Sequence, residues 1–188
     1  MVDVQTIGVV VTAASVSVAA IYYIFTLRIN MRTQELALKA QQQNLETRRI
    51  GLMDSIIARS INKEAMKNIF ELLRYEWSDY GDFEKKYGSE NDVDAAATRY
   101  TVWNAFDSLG MMLRKGMVEA EDIYNVGSVS SFLWVKFKPV IEENRRRYNG
   151  ESYLKDFEYL FEEMMKVKLS KDPNYKFPET LDKYIPDN

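Results

Sequence analysis

Three carboxylates, Glu158, Glu162 and Glu163, recur at helical spacing near the C-terminus. Paired carboxylates can move protons or hold a metal ion. Lys155 and Lys166 stand at distances where ordinary helix-surface ion pairs form, and that plainer reading is preferred. Arg145, Arg146 and Arg147 make the one dense basic run. Such a run can grip anionic lipid head groups or phosphate. Cations at a helix C-terminus also complement its dipole, and this second account is favoured. The 188 residues include no cysteine and no histidine, which removes disulfides, thiolate nucleophiles, zinc sites built on those residues and imidazole catalysis. It also removes the Glu-x-x-His pairs of di-iron bundles. Walker, G-x-G-x-x-G, G-x-S-x-G and EF-hand patterns are absent from the chain. No catalytic, metal or cofactor residue is therefore assigned, and no cofactor is expected. The formal net charge of −3 gives no general attraction to nucleic acid.

The element that positions everything else is the uncharged stretch Val4 to Leu27, bounded by Asp3 and Arg28. As a helix it would extend ~36 Å, against ~30 Å for a bilayer's hydrocarbon core. A cleaved signal peptide would need a basic start, and here Met1-Val2-Asp3 supplies none. An interfacial helix would show a charged face. The reading is a transmembrane anchor over residues 1–27. Arg28 and Arg32, with Lys39 further on, predict by the positive-inside rule a C-terminal part in the cytoplasm and an N-terminus outside the cell membrane. Gly8, Thr12, Ser15 and Ala19 lie on one face of the anchor, a stripe that would let two spans approach closely and the chain form a homo-oligomer.

Glycine and proline are sparse after the anchor and amphipathic runs dominate, so the fold class is all-α. Residues 28–60 read as a helical stalk. Met31, Leu38, Leu45 and Leu52 repeat every seven residues, but the companion seam positions (Gln34, Gln41, Arg48 or Glu35, Gln42, Arg49) are polar. The coiled-coil tendency is accordingly weak, and the stalk either pairs feebly or packs on its own domain. Residues 61–170 read as a small helical bundle. Asn62 should cap its first helix, which is expected to reach about Trp77. Asp82 should cap a short helix ending at Tyr87, with Gly88 as a left-handed stop. Tyr80, Phe83 and Tyr87 are expected to fold back onto the bundle. The next helix should start at Asn91 or Asp92 and end at Lys115, burying Ala96, Tyr100, Trp103, Phe106, Leu109 or Gly110, and Leu113. Gly110 in mid-helix costs ~1 kcal/mol and implies a close crossing. Gly116 should close this helix in a Schellman motif with Met117 on Met112. A short helix from Val118 to Gly127 follows, then one containing Pro139, where a kink or restart is expected, and ending before Asn149-Gly150. The last helix is placed at about Ser152 to Ser170. Residues 171–188, with Pro173, Pro178 and Pro186 among aromatics, read as an extended tail. Trp77, Trp103 and Trp134, one to a helix, are assigned to the core.

The stretches LRINMRTQELALKAQQQNLETRR, YEWSDYGDFEKKYG, NAFDSLGMMLRKGMVEAEDIY and FLWVKFKPVIEENR, together with the anchor, resemble a family of small prokaryotic single-span membrane proteins known only as a domain of unknown function. The resemblance implies a single span with a cytoplasmic helical domain, and it brings no catalytic residues to carry over. The functional expectation is a membrane-anchored scaffold or regulator whose partners are the lipid bilayer and an unknown protein. The alternative is a membrane effector, for instance in phage defence, acting by assembly of its spans. An enzyme using carboxylates, Lys or Tyr is the third reading.

Overall fold

The computed structural model describes residues 3–60, 62–148 and 150–184. Ile61, Asn149 and Pro186, each part of an expectation above, lie outside the described residues. All regular structure among the described residues is helical: α1 (Val4–Ser60), α2 (Lys63–Arg74), α3 (Tyr80–Tyr87), α4 (Val93–Arg114), α5 (Ala120–Gly127), α6 (Ser130–Tyr148), α7 (Lys155–Lys171) and a closing 3-10 turn (Glu179–Tyr184).

The chain divides into two compact units, Met1–Ile50 and Gly51–Asn188. The first is the N-terminal part of α1. It carries one segment long and apolar enough to cross a membrane, and none of that segment is buried. The expected anchor and stalk form one uninterrupted helix, which the absence of Pro between them allows. Met31, Leu38 and Leu45 are exposed, whereas Leu52 packs against the core of the second unit. The heptad stripe thus ends inside the bundle, because the bundle starts at Gly51 and takes in the last turns of the expected stalk. Ile56 is buried there, with Leu52 and Met53 beside it.

In the second unit α4 and α7 form the principal packed pair. Gly110 explains how close they come: a Cβ at this position would stand 1.8 Å from the Asp156 carbonyl oxygen. One turn earlier, Asp107 Oδ1 accepts the backbone N–H groups of Asp156 at 3.1 Å and Phe157 at 2.9 Å. Leu154, at the head of α7, supplies no side-chain cap of its own, so a carboxylate on another helix satisfies these orphan donors. One turn later Arg114 grips the Asp156 carboxylate through two bonds of 2.6 and 3.2 Å. Asp107, Gly110 and Arg114 therefore share one face of α4, and that face fixes the start of α7. Leu154 itself has φ 55°, a left-handed backbone unusual for leucine, and is held there by burial of its side chain. This is why α7 begins at Lys155 rather than near Ser152.

Other ends follow local chemistry. Asn62 Oδ1 caps α2 through the Ala65 N–H at 2.8 Å. Gly116, at φ 67°, ends α4 with the Schellman pair of bonds, Met117 N–H to Met112 and Gly116 N–H to Leu113. Several expectations need correction. α2 stops at Arg74, because Tyr75 turns to ψ 138° and its ring stacks on Tyr87 at 4.0 Å; Trp77 is a core residue but not a helical one. Asp79, not Asp82, caps α3, and Gly88 leaves it in extended rather than left-handed geometry, with the Asn91 amide donating to the Glu84 carbonyl. Tyr100 is 39% exposed, and Arg99 takes the buried position beside it. α6 runs unbroken through Pro139, since Leu133, Phe137, Val140 and Ile141 bury one side of it throughout.

Among the described residues the chain after α7 is not extended throughout. Lys168 lies over the rings of Phe132, Tyr175 and Phe177, and the 3-10 turn then buries Leu181 and Tyr184. Tyr184 lies tilted against Trp77, 4.7 Å between ring centres, which seals the core at that side.

Candidate functional site

The carboxylates read from the sequence do not converge. Glu158 accepts from Arg145 Nη1 at 3.0 Å, and Glu163 pairs with Lys166 at 2.6 Å. Only the Glu163–Lys166 contact is the ordinary helix-surface pair the spacing allows; the Glu158 contact joins α6 to α7 and is half-buried. The three arginines also part company. Arg145 is turned inward, donating Nε to the Tyr153 carbonyl at 2.8 Å, and so ties the end of α6 to the approach to α7. Arg146 and Arg147 both reach back to Glu143, at 2.6 Å each. Their hydrogen bonds hold the Glu143 carboxyl down to about 2. Arg147 also lies over the Tyr80 ring at 4.2 Å.

On α1 the stripe residues Gly8, Thr12, Ser15 and Ala19 are all exposed. Thr12 donates its hydroxyl to the Gly8 carbonyl and Ser15 to the Val11 carbonyl, each at 2.9 Å. The hydroxyls are satisfied within their own helix, so the stripe presents no unpaired donor. Nothing lies within 4 Å of where a Gly8 Cβ would be.

A groove in the second unit has the form of a binding site. It encloses about 500 Å³ between the last turns of α1, α2, α4 and α5. Its floor is Ile56, Met66, Ile69, Phe106, Leu109, Met112 and Val126; Asn62, Asn68, Asn125, Thr101 and Ser108 supply polar groups along it. A mostly apolar concavity of this size with a few hydrogen-bonding groups is the usual form of a ligand or peptide site. Ala105 faces it from an exposed position on α4. Most lining residues lie on these four helices, and the meeting of the four is a tertiary fact.

Besides Lys168, two more buried cations lie outside the site residues that the sequence assigns. Arg99, 2% exposed, donates to the Tyr87 carbonyl at 2.7 Å and lies among the rings of Phe83, Tyr100 and Trp103. Lys136, 3% exposed, donates to the Leu73 carbonyl at 2.6 Å, capping the C-terminal end of α2. A signal existed for both. Arg99 falls in phase with Ala95, Val102 and Phe106, and Lys136 with Leu133 and Val140, so each charge stands on an apolar stripe.

No curated protein and no solved structure matches this chain. A family model does match, over residues 10–164, from within the apolar segment of α1 to Met164 in α7. With most of the apolar segment of α1, the α4–α7 crossing and the groove inside that match, the chain belongs to the family described as a domain of unknown function, DUF4760.

Proposed function

We propose that this chain is a membrane-anchored helical scaffold or regulator that binds a protein partner through the groove between α1, α2, α4 and α5. The observation that carries the reading is the groove itself: an open apolar concavity of about 500 Å³ bordered by asparagine and hydroxyl side chains. The apolar floor supplies affinity by burial and the polar groups supply register. The uncharged segment of α1 supplies the tether, and Arg28 and Arg32 place the bundle on the cytoplasmic side in this reading. The test is proximity labelling from membranes with the full-length protein and with Ala105→Trp, which fills the groove from an exposed position. The expected result is a specific partner recovered by the wild type and lost by the variant. Recovery of the same partner by both would remove the groove from the mechanism, and absence of any specific partner would remove the reading.

A second reading is favoured by the open Gly8 face, whose neighbouring hydroxyls are turned back onto their own helix. In it the chain is a membrane effector, for instance in phage defence, that acts when its spans assemble. Expression that leaves membrane potential and growth unchanged, with and without phage, would count against it.

A further inference from the structure

A second cavity of about 500 Å³ opens where the 3-10 turn crosses α2 and α6. Arg74, Lys136 and Lys183 line it together with one carboxylate, Glu76. Lys136 is the unusual member. Its side chain is almost wholly buried, and its one hydrogen bond goes to a neutral acceptor, the Leu73 carbonyl. The rings of Trp77 and Tyr184 stand 5.4 Å from Nζ and that of Phe137 5.9 Å. Ring faces offset part of an ammonium's desolvation cost, but they are not a counter-ion. Among the described residues no carboxylate pairs with Lys136. Glu76 is 79% exposed at its side chain and stands 3.6 Å from Lys183. The ammonium is pushed down to about 8, first by burial and then by the Lys183 charge, with Glu76 opposing. Buried charges are normally paired, so a buried cation flanked by two more at a cavity wall is a site short of an anion.

We propose that this cavity binds a phosphate monoester, its dianionic head between Lys136, Lys183 and Arg74. Three cations against one carboxylate leave two positive charges, which matches a dianion rather than a simple carboxylate. The apolar part of the wall, Leu73, Phe132 and Leu181, suits the organic body of such an ester. The head group belongs equally to a free metabolite and to a lipid of the phosphatidic acid kind, and the test has one arm for each. Where Lys136 sits explains the expected readout. An anion beside it favours the charged form and raises its titration point.

The experiment uses the full chain with ¹³C-labelled lysine, Lys136 being assigned by Lys136→Arg. In the first arm, glycerol 3-phosphate is titrated against glycerol at constant ionic strength in uncharged detergent. In the second, the protein is placed in phosphatidylcholine nanodiscs with and without phosphatidic acid. A saturable rise of ~1 unit or more in the Lys136 titration point, with a rise in Tm, is expected in at least one arm. A response in the first arm alone identifies a free ester, and one in the second a lipid. Lys183→Glu and Arg74→Glu, both at exposed positions, should weaken the response ~10-fold or more by placing like charge against the head. No movement of Lys136 in either arm overturns the proposal, as does an undiminished response in the two charge-reversed variants.

Discussion

Gly110→Ala should destabilise the bundle, although in an exposed helix the same change stabilises. A Cβ at position 110 would stand 1.8 Å from the Asp156 carbonyl oxygen and 2.6 Å from its carbon, where ordinary contact begins at 3.4 Å. The obstruction is backbone, so no rotamer change relieves it, and the head of α7 must move away by about 1.6 Å. That motion stretches both bonds to Asp107, now 2.9 and 3.1 Å, beyond hydrogen-bonding range. Each is worth ~1 kcal/mol. Overpacking of a fitted core adds ~1–3 kcal/mol. The helix-propensity gain of Ala over Gly returns ~1 kcal/mol. A net loss of about 2–4 kcal/mol follows, equivalent to a fall in Tm of roughly 6–15 °C for a domain of this size. Trp77, Trp103 and Trp134 all lie in the bundle core and none in the apolar segment of α1, so intrinsic fluorescence reports bundle unfolding alone. Gly51→Ala is the matched control. It is helical with nothing within 4 Å of a new Cβ and should gain up to ~1 kcal/mol. A Gly110→Ala protein as stable as the wild type would refute the account of the α4–α7 crossing.

Asp107→Ala should cost ~1–2 kcal/mol by removing the cap of α7, with the loss visible in urea midpoints; an unchanged midpoint would mean that water replaces the cap without cost. Lys136 gives a pH signature. Its folded titration point is lowered to about 8 from 10.5, so between these values the unfolded chain binds more protons and stability rises with pH. Tyr75, whose hydroxyl is raised above 10.0 chiefly by burial, reverses that slope above about pH 10. Urea melts at pH 7.5, 8.5 and 9.5 should show the rise in wild type and a shallower one in Lys136→Met, where Lys168, also lowered by burial, still contributes; parallel profiles would contradict it. Gly8→Leu combined with Ser15→Leu should shift the detergent-solubilised full-length protein toward monomer, and cross-linking in membranes equal to wild type would show that the stripe is no interface.

Much of this architecture is visible in single residues. Asn62, Gly110 and Gly116 each carry one structural meaning that no neighbour overrides: a cap, a close crossing and a left-handed stop. The aromatics of 78–91 fold inward because a free linker would not hold Tyr80, Phe83 and Tyr87. The features that the sequence hides depend on partners distant along the chain. α2 ends at Arg74 although nothing local forbids another turn; ring contacts with Tyr87 and Tyr184 draw Tyr75 and Trp77 out of the helix. α7 starts at Lys155 because Asp107 caps it from 49 residues away. Both candidate cavities are products of such meetings. The groove needs four helices and the cationic cavity needs the 3-10 turn, so neither leaves a motif in the chain.

The contact of Tyr184 with Trp77 has a consequence in time. Tyr184 also reaches the Tyr75 carbonyl, a separation of 109 residues. During synthesis at ~5–20 residues per second, the Tyr75–Trp77 segment waits on the order of 5–20 s for the ring that covers it. Until then a tryptophan and a pair of tyrosines beside the end of α2 are open to chaperones, proteases or another nascent copy. The domain is thus finished from its far end, and the interval before closure is when this chain is most exposed to capture.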